Sequence, residues 1–492
     1  MASDTILEIR KDGEGFLKAL SQELYWNLAG LKEEANLKAI YKAHPIFGDT
    51  DVFSSVKDTS PNDEEEEKGL KLILSLLARS VIENKTAELR DEILKAEARD
   101  EIRLDYKTIP YRSALAEIKI EAKRARREDI DRKRRETALR LEPLFLKTLE
   151  IAHDIASELG FSYISLCDEL EKLNLSEIEE KAKLFLKDTE YIYRDLLKWF
   201  LMKRMELKLK DAKWHDLSHL FNSFELKSEF PKVDLKALAG KCLDEMGIDV
   251  SESIKTDLSY RKGKTSRPLC IPIEVPQNVM LSIYPIGGIG DYESFFHALG
   301  IALLYGHRNP EDEFEFRRLT ESASEGVFGF LFRNLLFQTR WLRRYLKLET
   351  GSDFLRFLYL KQLMMIRYYS GKLIYELLLH KDEDFRSKSD FYKQTLKEST
   401  LSDYSEADYL DNLDPFFHTA SYLRGCIIEA ELKWHLREKF DEEWWREKEA
   451  GDFIRKMWRE GGRITSQEIS KRAGFERIDL TPLLRFFGEI LG

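Results

Sequence analysis

The chain has 492 residues and a formal net charge of -10 at pH 7, with 43% hydrophobic and 34% charged residues. This balance is typical of a large globular protein, and the negative charge disfavours a dedicated nucleic-acid binder. No apolar run approaches the roughly 18 residues that a membrane-spanning helix needs, and the N-terminal residues lack the apolar core of a signal peptide. We therefore expect a cytoplasmic protein that contacts neither nucleic acid nor membrane.

The cysteines and the charged residues carry two weaker signals. The four cysteines lie far apart and form no C-x-x-C pair, so buried, reduced thiols are expected. Lysine and glutamate are abundant while glutamine is scarce, a bias that is typical of a thermophile-like composition.

Residues 1–264 are predicted to form an almost entirely helical N-terminal half. Apolar residues recur at helical spacing over 16–25. A run of acidic residues over 63–67 follows a turn at Pro61 and indicates a helix start, where carboxylates suit the helix dipole. The stretch 87–159 is long, charged and periodic, with one break near Pro110.

The pattern changes after residue 264. Residues 269–285 are predicted to form two short β-strands joined by a turn at Pro276, and this is the one predicted β region. A glycine-rich turn over 287–290 leads into a further helix, and helices then continue to residue 492. The prediction is therefore a mainly α fold with one small β-sheet, divided into an N-terminal half (1–264) and a second half (265–492).

The helix after the glycine-rich turn carries the sequence H-A-L-G-I at 297–301. In a zinc peptidase with H-E-x-x-H, two histidines one turn apart bind Zn²⁺, and the glutamate between them takes a proton from the metal-bound water. Here His297 stands at the first position, Ala298 at the position of the general base, and Ile301 at that of the second histidine. Glu325 follows on a later helix and is a candidate third ligand.

The order of these segments resembles the thimet oligopeptidase and oligoendopeptidase F group of gluzincin metallopeptidases. The similarity is most specific over residues 267–336. It implies an ellipsoidal fold with a deep central channel. It also implies that His297 and Glu325 are remnants of a zinc site that lacks its base at Ala298 and its second histidine at Ile301.

The segment 413–424 resembles the family's tyrosine-rich segment, which helps to bind substrate. Tyr422 matches a tyrosine position, whereas Ala420 departs from the usual paired tyrosines. The resemblance implies that Tyr422, His418 and Arg424 bind substrate.

Two functions are open at this point. The leading interpretation is a pseudoenzyme, a catalytically silent homologue without a cofactor, whose channel binds a peptide or a protein partner. The alternative shifts the motif by one turn, because Glu293 and His297 share a helix face and could bind zinc together with Glu325. The chain would then be a metal-dependent oligopeptidase with an altered site, with Ser294 in place of the general base.

Overall fold

The structure is a computed structural model that describes residues 2–222, 230–231, 233–250, 252–349, 351–411 and 413–491. Helices dominate the described chain. In chain order they are α1 (Ala2–Leu28), α2 (Leu37–Ala43), α3 (Thr50–Lys57), α4 (Glu64–Arg99), α5 (Ala114–Ile120), α6 (Arg124–Glu158), α7 (Tyr163–Glu171), α8 (Leu175–Met205), α9 (Trp214–Leu220), α10 (Leu235–Glu245), α11 (Ile289–Gly306), α12 (Phe314–Arg318), α13 (Ser322–Arg333), α14 (Thr339–Trp341), α15 (Ser352–Leu379), α16 (Ser389–Thr400), α17 (His418–Phe440), α18 (Lys448–Arg459), α19 (Ser466–Arg472) and α20 (Thr481–Leu491).

Strands form two small sheets. Their bounds are β1 (Glu101–Leu104), β2 (Lys107–Pro110), β3 (Ile254–Asp257), β4 (Leu269–Glu274) and β5 (Asn278–Ser282). The first sheet is the antiparallel hairpin of β1 and β2. The second has the order β3-β5-β4, in which β5 pairs in parallel with β3 and antiparallel with β4.

The predicted strand pair after residue 264 is confirmed as β4 and β5, but the prediction of a single sheet is corrected. The β1–β2 hairpin lies inside the stretch that was predicted to be helical, and Ile102, Leu104 and Ile109 fill a small core of their own beneath it. Its strands have four residues each. Four residues are too few for the alternation of apolar and polar residues to stand out among the flanking charged residues, so the sequence predicted a helix there.

The helix start predicted after Pro61 is confirmed, and a second helix start has a similar capping arrangement. The Asp63 side chain accepts a hydrogen bond from the Glu66 backbone N–H, and four glutamates occupy the first turn of α4, where the helix dipole favours negative charge. The Thr465 and Glu468 side chains form a reciprocal capping box at the start of α19.

One large hydrophobic core contains residues from both sides of position 264. The two-part division at that position therefore stays a prediction. No helix within the described ranges is long and apolar enough to cross a membrane.

The helix α11 lies at the centre of the fold and packs closely against α13. At Gly300, an added Cβ would overlap the carbonyl oxygen of Phe328. At Gly329, an added Cβ would lie 2.7 Å from the Cε1 atom of His297. These two glycines let the helix backbones approach, and they set which residues of α11 and α13 face each other.

Candidate functional site

The start of α11 is fixed by the glycine-rich turn before it. Gly287 and Gly288 have φ angles of 85° and 77°, a left-handed conformation that side chains disfavour. The Asp291 carboxylate accepts hydrogen bonds from the backbone N–H groups of Ile286 (2.9 Å) and Gly287 (2.8 Å). The turn therefore sets which face of the helix points away from the core.

That face lines a cavity of about 310 Å³, here called the α11 cavity. Its lining comes from α5, α9, α11, α13, α15 and α17 and from the segments around Ser266 and Tyr284. The charged side chains in its lining are Lys119, Asp291, Glu293, Arg333 and Lys361. The cavity thus brings together residues that lie far apart in the sequence.

Glu293 holds two cations in the wall of this cavity. One carboxylate oxygen is 3.0 Å from Arg333 Nη2, and the other forms an ion pair with the Lys361 ammonium. Burial alone would raise the pKa of Glu293, but the charges of Lys361 and Arg333 lower it below its ordinary value. Glu293 is therefore a carboxylate with both oxygens engaged by protein donors.

His297 lies one turn further along α11. Its ring centre is 5.2 Å from that of Phe330 and 5.8 Å from that of Tyr422. Burial and the nearby Arg333 charge lower the pKa of His297 to about 3. The imidazole is consequently neutral at physiological pH.

The cavity shows which register of the zinc motif suits the helix. Glu293, Ser294 and His297 all line it. Ala298 is instead 2% exposed within the hydrophobic core, and Ile301 packs against that core. In H-E-x-x-H, the first, second and fifth residues must face the cavity. The geometry therefore fits the register that begins at Glu293.

Glu325 lines a different cavity from His297. It accepts a hydrogen bond from the Tyr305 hydroxyl and lines a second cavity of about 260 Å³. On α13 it is Gly329, one turn beyond Glu325, that faces the His297 ring. The assignment of His297 and Glu325 as remnants of one zinc site stays a prediction. Burial raises the pKa of Glu325.

The residues present do not fit a catalytic zinc ion. Such an ion normally takes three protein ligands, and no cluster of three His, Cys, Asp or Glu side chains able to hold a metal occurs in the part of the chain that the structure describes. At the fitting register, a zinc ion on Glu293 would have to displace Arg333 and Lys361 and then lie beside both cations. Mutual repulsion of these charges opposes zinc binding.

Of the three expected substrate-binding residues, the structure places one in the α11 cavity. Tyr422 lines it, with its ring centre 4.2 Å from that of Tyr369. His418 is exposed and lies outside this lining. The Arg424 guanidinium points elsewhere and donates to Ser466 Oγ at 2.9 Å and to the Leu173 carbonyl at 3.2 Å.

Sequence reasoning missed the three cations of the cavity. Arg333 ends a run of apolar residues over 326–332, and Lys361 interrupts an apolar stretch of α15. A charged residue in such a run signals a buried charge that needs a partner. The signal was available, but the sequence could not show that both cations share Glu293.

Comparisons with known proteins identify the fold. No protein-family profile and no curated protein matches this sequence. Among solved structures, the chain is similar to PZ peptidase A with inhibitor 2, with a TM-score of 0.70 and 15% identity over 96% of this chain and 86% of that one. A structure assigned as oligoendopeptidase F, from crystals grown by microfluidic seeding, gives 0.69 and 14% over 95% and 85%. One assigned as oligoendopeptidase F from Bacillus anthracis strain Ames gives 0.68 and 12% over 96% and 85%.

These likenesses define the class of fold. The chain has the mainly helical fold of the oligoendopeptidase F and PZ peptidase structures, as its sequence predicts. At such low identity the likeness establishes the fold and leaves the activity to be argued from the residues of the site.

Proposed function

We propose that this chain is a catalytically silent relative of the oligopeptidases, which binds a ligand in the α11 cavity without hydrolysing it. One observation carries the proposal. On the helix face where a zinc peptidase presents its ligands, the carboxylate of Glu293 is neutralised by Arg333 and Lys361.

The remaining chemistry at this face supports the same proposal. In the fitting register, the position of the general base holds Ser294, whose hydroxyl is not basic enough to take the proton of an attacking water at neutral pH. His297 is neutral, but a single histidine without further ligands binds zinc weakly. The described face of α11 thus lacks the groups that activate water in this class of enzyme.

A role in binding is supported by the shape of the site. The cavity is concave, lies between elements that are distant in the sequence, and combines aromatic rings with a few charged groups. Ligand-binding sites of proteins share this construction. The expected occupant of the cavity is a peptide or another small molecule. A segment of a protein partner would present the same chemical groups to the cavity.

Two measurements test the proposal. Zinc would be quantified in protein purified without added metal, and hydrolysis of a mixed peptide library would be followed with and without added zinc. We expect far less than one zinc per chain and no zinc-dependent cleavage.

The matched control is His297→Ala. Stoichiometric zinc together with peptide cleavage, both lost in His297→Ala, would replace this proposal with the altered-site hydrolase that uses Glu293 and His297.

A further inference from the structure

The α11 cavity contains more positive than negative charge among its described residues. Its lining carries three cations, Lys119, Arg333 and Lys361, against two carboxylates, Asp291 and Glu293. Arg333 and Lys361 share the single negative charge of Glu293, and Arg333 Nη1 has no hydrogen-bond partner among the described residues. The lining therefore keeps a net positive charge, and Lys119 is its third cation.

Lys119 is near the end of α5 and lines the cavity together with residues of α11. Among the side chains that the structure describes, no carboxylate forms an ion pair with its ammonium. Glu293 and Asp291 are near enough to act on Lys119 electrostatically, but both are engaged elsewhere. Asp291 accepts from two backbone N–H groups at the start of α11.

The surroundings of Lys119 make an uncompensated ammonium unfavourable. The side chain is partly buried, and burial together with the charge of Lys361 lowers the pKa of Lys119. A charge held in such a place is stabilised by an opposite charge that comes within hydrogen-bonding distance. A bound anion would supply that charge.

The rest of the cavity indicates the body of the ligand. One wall is formed by the rings of Tyr369 and Tyr422, and Met364 and Met365 of α15 lie beside them. Aromatic and methionine side chains favour an apolar or aromatic group. The volume of about 310 Å³ is at the lower end of the range of ligand pockets, roughly 300–1,000 Å³, and so favours a small ligand.

We propose that the α11 cavity binds a small carboxylate with an apolar body, whose carboxylate pairs with the Lys119 ammonium and whose body packs on Tyr369 and Tyr422. This deepens the proposed binding function and rests on it. The carboxylate can belong to a free small acid or to the C-terminus of a short peptide, because both present the same charged group.

The test is isothermal titration of the full chain with matched acids and amides. The probes are 3-phenylpropanoate and its amide, N-acetyl-Leu-Phe and its C-terminal amide, and inorganic phosphate. We expect at least one acid to bind about tenfold or more tightly than its amide, since a charge-assisted hydrogen bond is lost in the amide. The acid that binds more tightly identifies the source of the carboxylate.

Variants assign the effect to one residue. Lys119→Met should abolish the preference for acid over amide, and Lys119→Arg should keep most of it. Lys123→Met is the control, because Lys123 is an exposed lysine nearby in the chain that lies outside the cavity lining. Circular dichroism and thermal unfolding verify that each variant is folded.

Four outcomes would overturn this inference. They are no binding of either acid, equal binding of acid and amide, unchanged acid binding by Lys119→Met, and binding of phosphate as tight as that of either acid. If neither acid binds while zinc and cleavage are also absent, the carboxylate assignment fails and the silent-homologue proposal stands. Zinc-dependent cleavage would contradict that proposal whatever the acids do.

Discussion

At the scale of single residues, the site is defined by how its charges are compensated. Glu293 would be a metal ligand in the register that begins at this residue, but in the structure it is the common partner of Arg333 and Lys361. Two buried cations on one carboxylate make that carboxylate indispensable to the local fold, since its loss leaves both charges unpaired.

Replacing Glu293 by Gln should therefore lower the free energy of unfolding by about 3–5 kcal/mol, the usual effect of breaking a buried ion pair. Urea unfolding followed by circular dichroism measures it. Glu150→Gln is the control, because Glu150 pairs with Lys147 at the surface, and such pairs contribute about 0–1 kcal/mol. Equal losses in the two variants would contradict the assigned role of Glu293.

His297, one turn beyond Glu293 on α11, makes the stability of the folded chain depend on pH. His297 has a pKa of about 3 in the folded chain against an ordinary value of 6.5. Below pH 6.5, His297 therefore binds a proton in the unfolded chain but stays neutral in the folded chain until the pH approaches 3. The contribution of His297 to stability is complete above pH 6.5 and is lost as the pH falls towards 3.

In His297→Asn, the free energy of unfolding should fall less steeply between pH 6.5 and 3 than in the unsubstituted chain. The difference in slope should reach about 1.4 kcal/mol per pH unit, the effect of one proton. The remaining slope includes His380, whose pKa burial also lowers to about 3. Parallel stability curves for the two proteins would show that His297 is not held neutral.

At the scale of elements, two glycines decide how α11 and α13 meet. The close approach at Gly300 sets the offset that places His297 against Gly329 and Glu293 against Arg333. The same offset places Gly329, one turn beyond Glu325, against the His297 ring. Helix packing therefore decides which residue of α13 faces His297.

Gly300→Ala should destabilise the protein by about 1–3 kcal/mol or more, because the new methyl group would overlap the backbone carbonyl of Phe328. Gly240→Ala should have the opposite effect and stabilise the protein. Gly240 lies inside α10, where an added Cβ meets no atom within 4 Å, and alanine is more favourable than glycine in a helix by about 0.5–1 kcal/mol. Thermal unfolding should move the two melting temperatures in opposite directions, and a shared direction would refute the packing argument.

The elements also show what the sequence could predict. Long periodic helices, the strand pair around Pro276 and the start of α4 follow from spacing and from capping chemistry, which are local. The four-residue strands β1 and β2 do not, because their alternation is too short to separate from a charged helix. The register of α11 against α13 depends on contacts between helices that no local pattern contains.

At the scale of the whole molecule, the cavity depends on both parts of the chain. Lys119 comes from α5, whereas Glu293, Arg333 and Lys361 come from helices beyond residue 264. A sequence motif on α11 could therefore predict only one wall of the site. The part of the lining that α5 supplies depends on how the N-terminal helices are anchored, and Arg112, just before α5, contributes to that anchoring.

Arg112 is 7% exposed, and its guanidinium donates four hydrogen bonds. It contacts the carbonyl and the side chain of Asn27 at 2.9 and 2.7 Å, the carbonyl of Leu94 at 3.0 Å and that of Gly263 at 3.1 Å. It thus joins α1, α4 and the segment before β4 to the start of α5.

Arg112→Met should lower the free energy of unfolding by about 2–5 kcal/mol, since four buried acceptors lose their donor. In Arg132→Met, an exposed residue of α6 that pairs with carboxylates of its own helix, the change should stay within about 0.5 kcal/mol. Urea unfolding of the two variants measures both values. A similar small effect in each would mean that the N-terminal helices hold the cavity wall without Arg112.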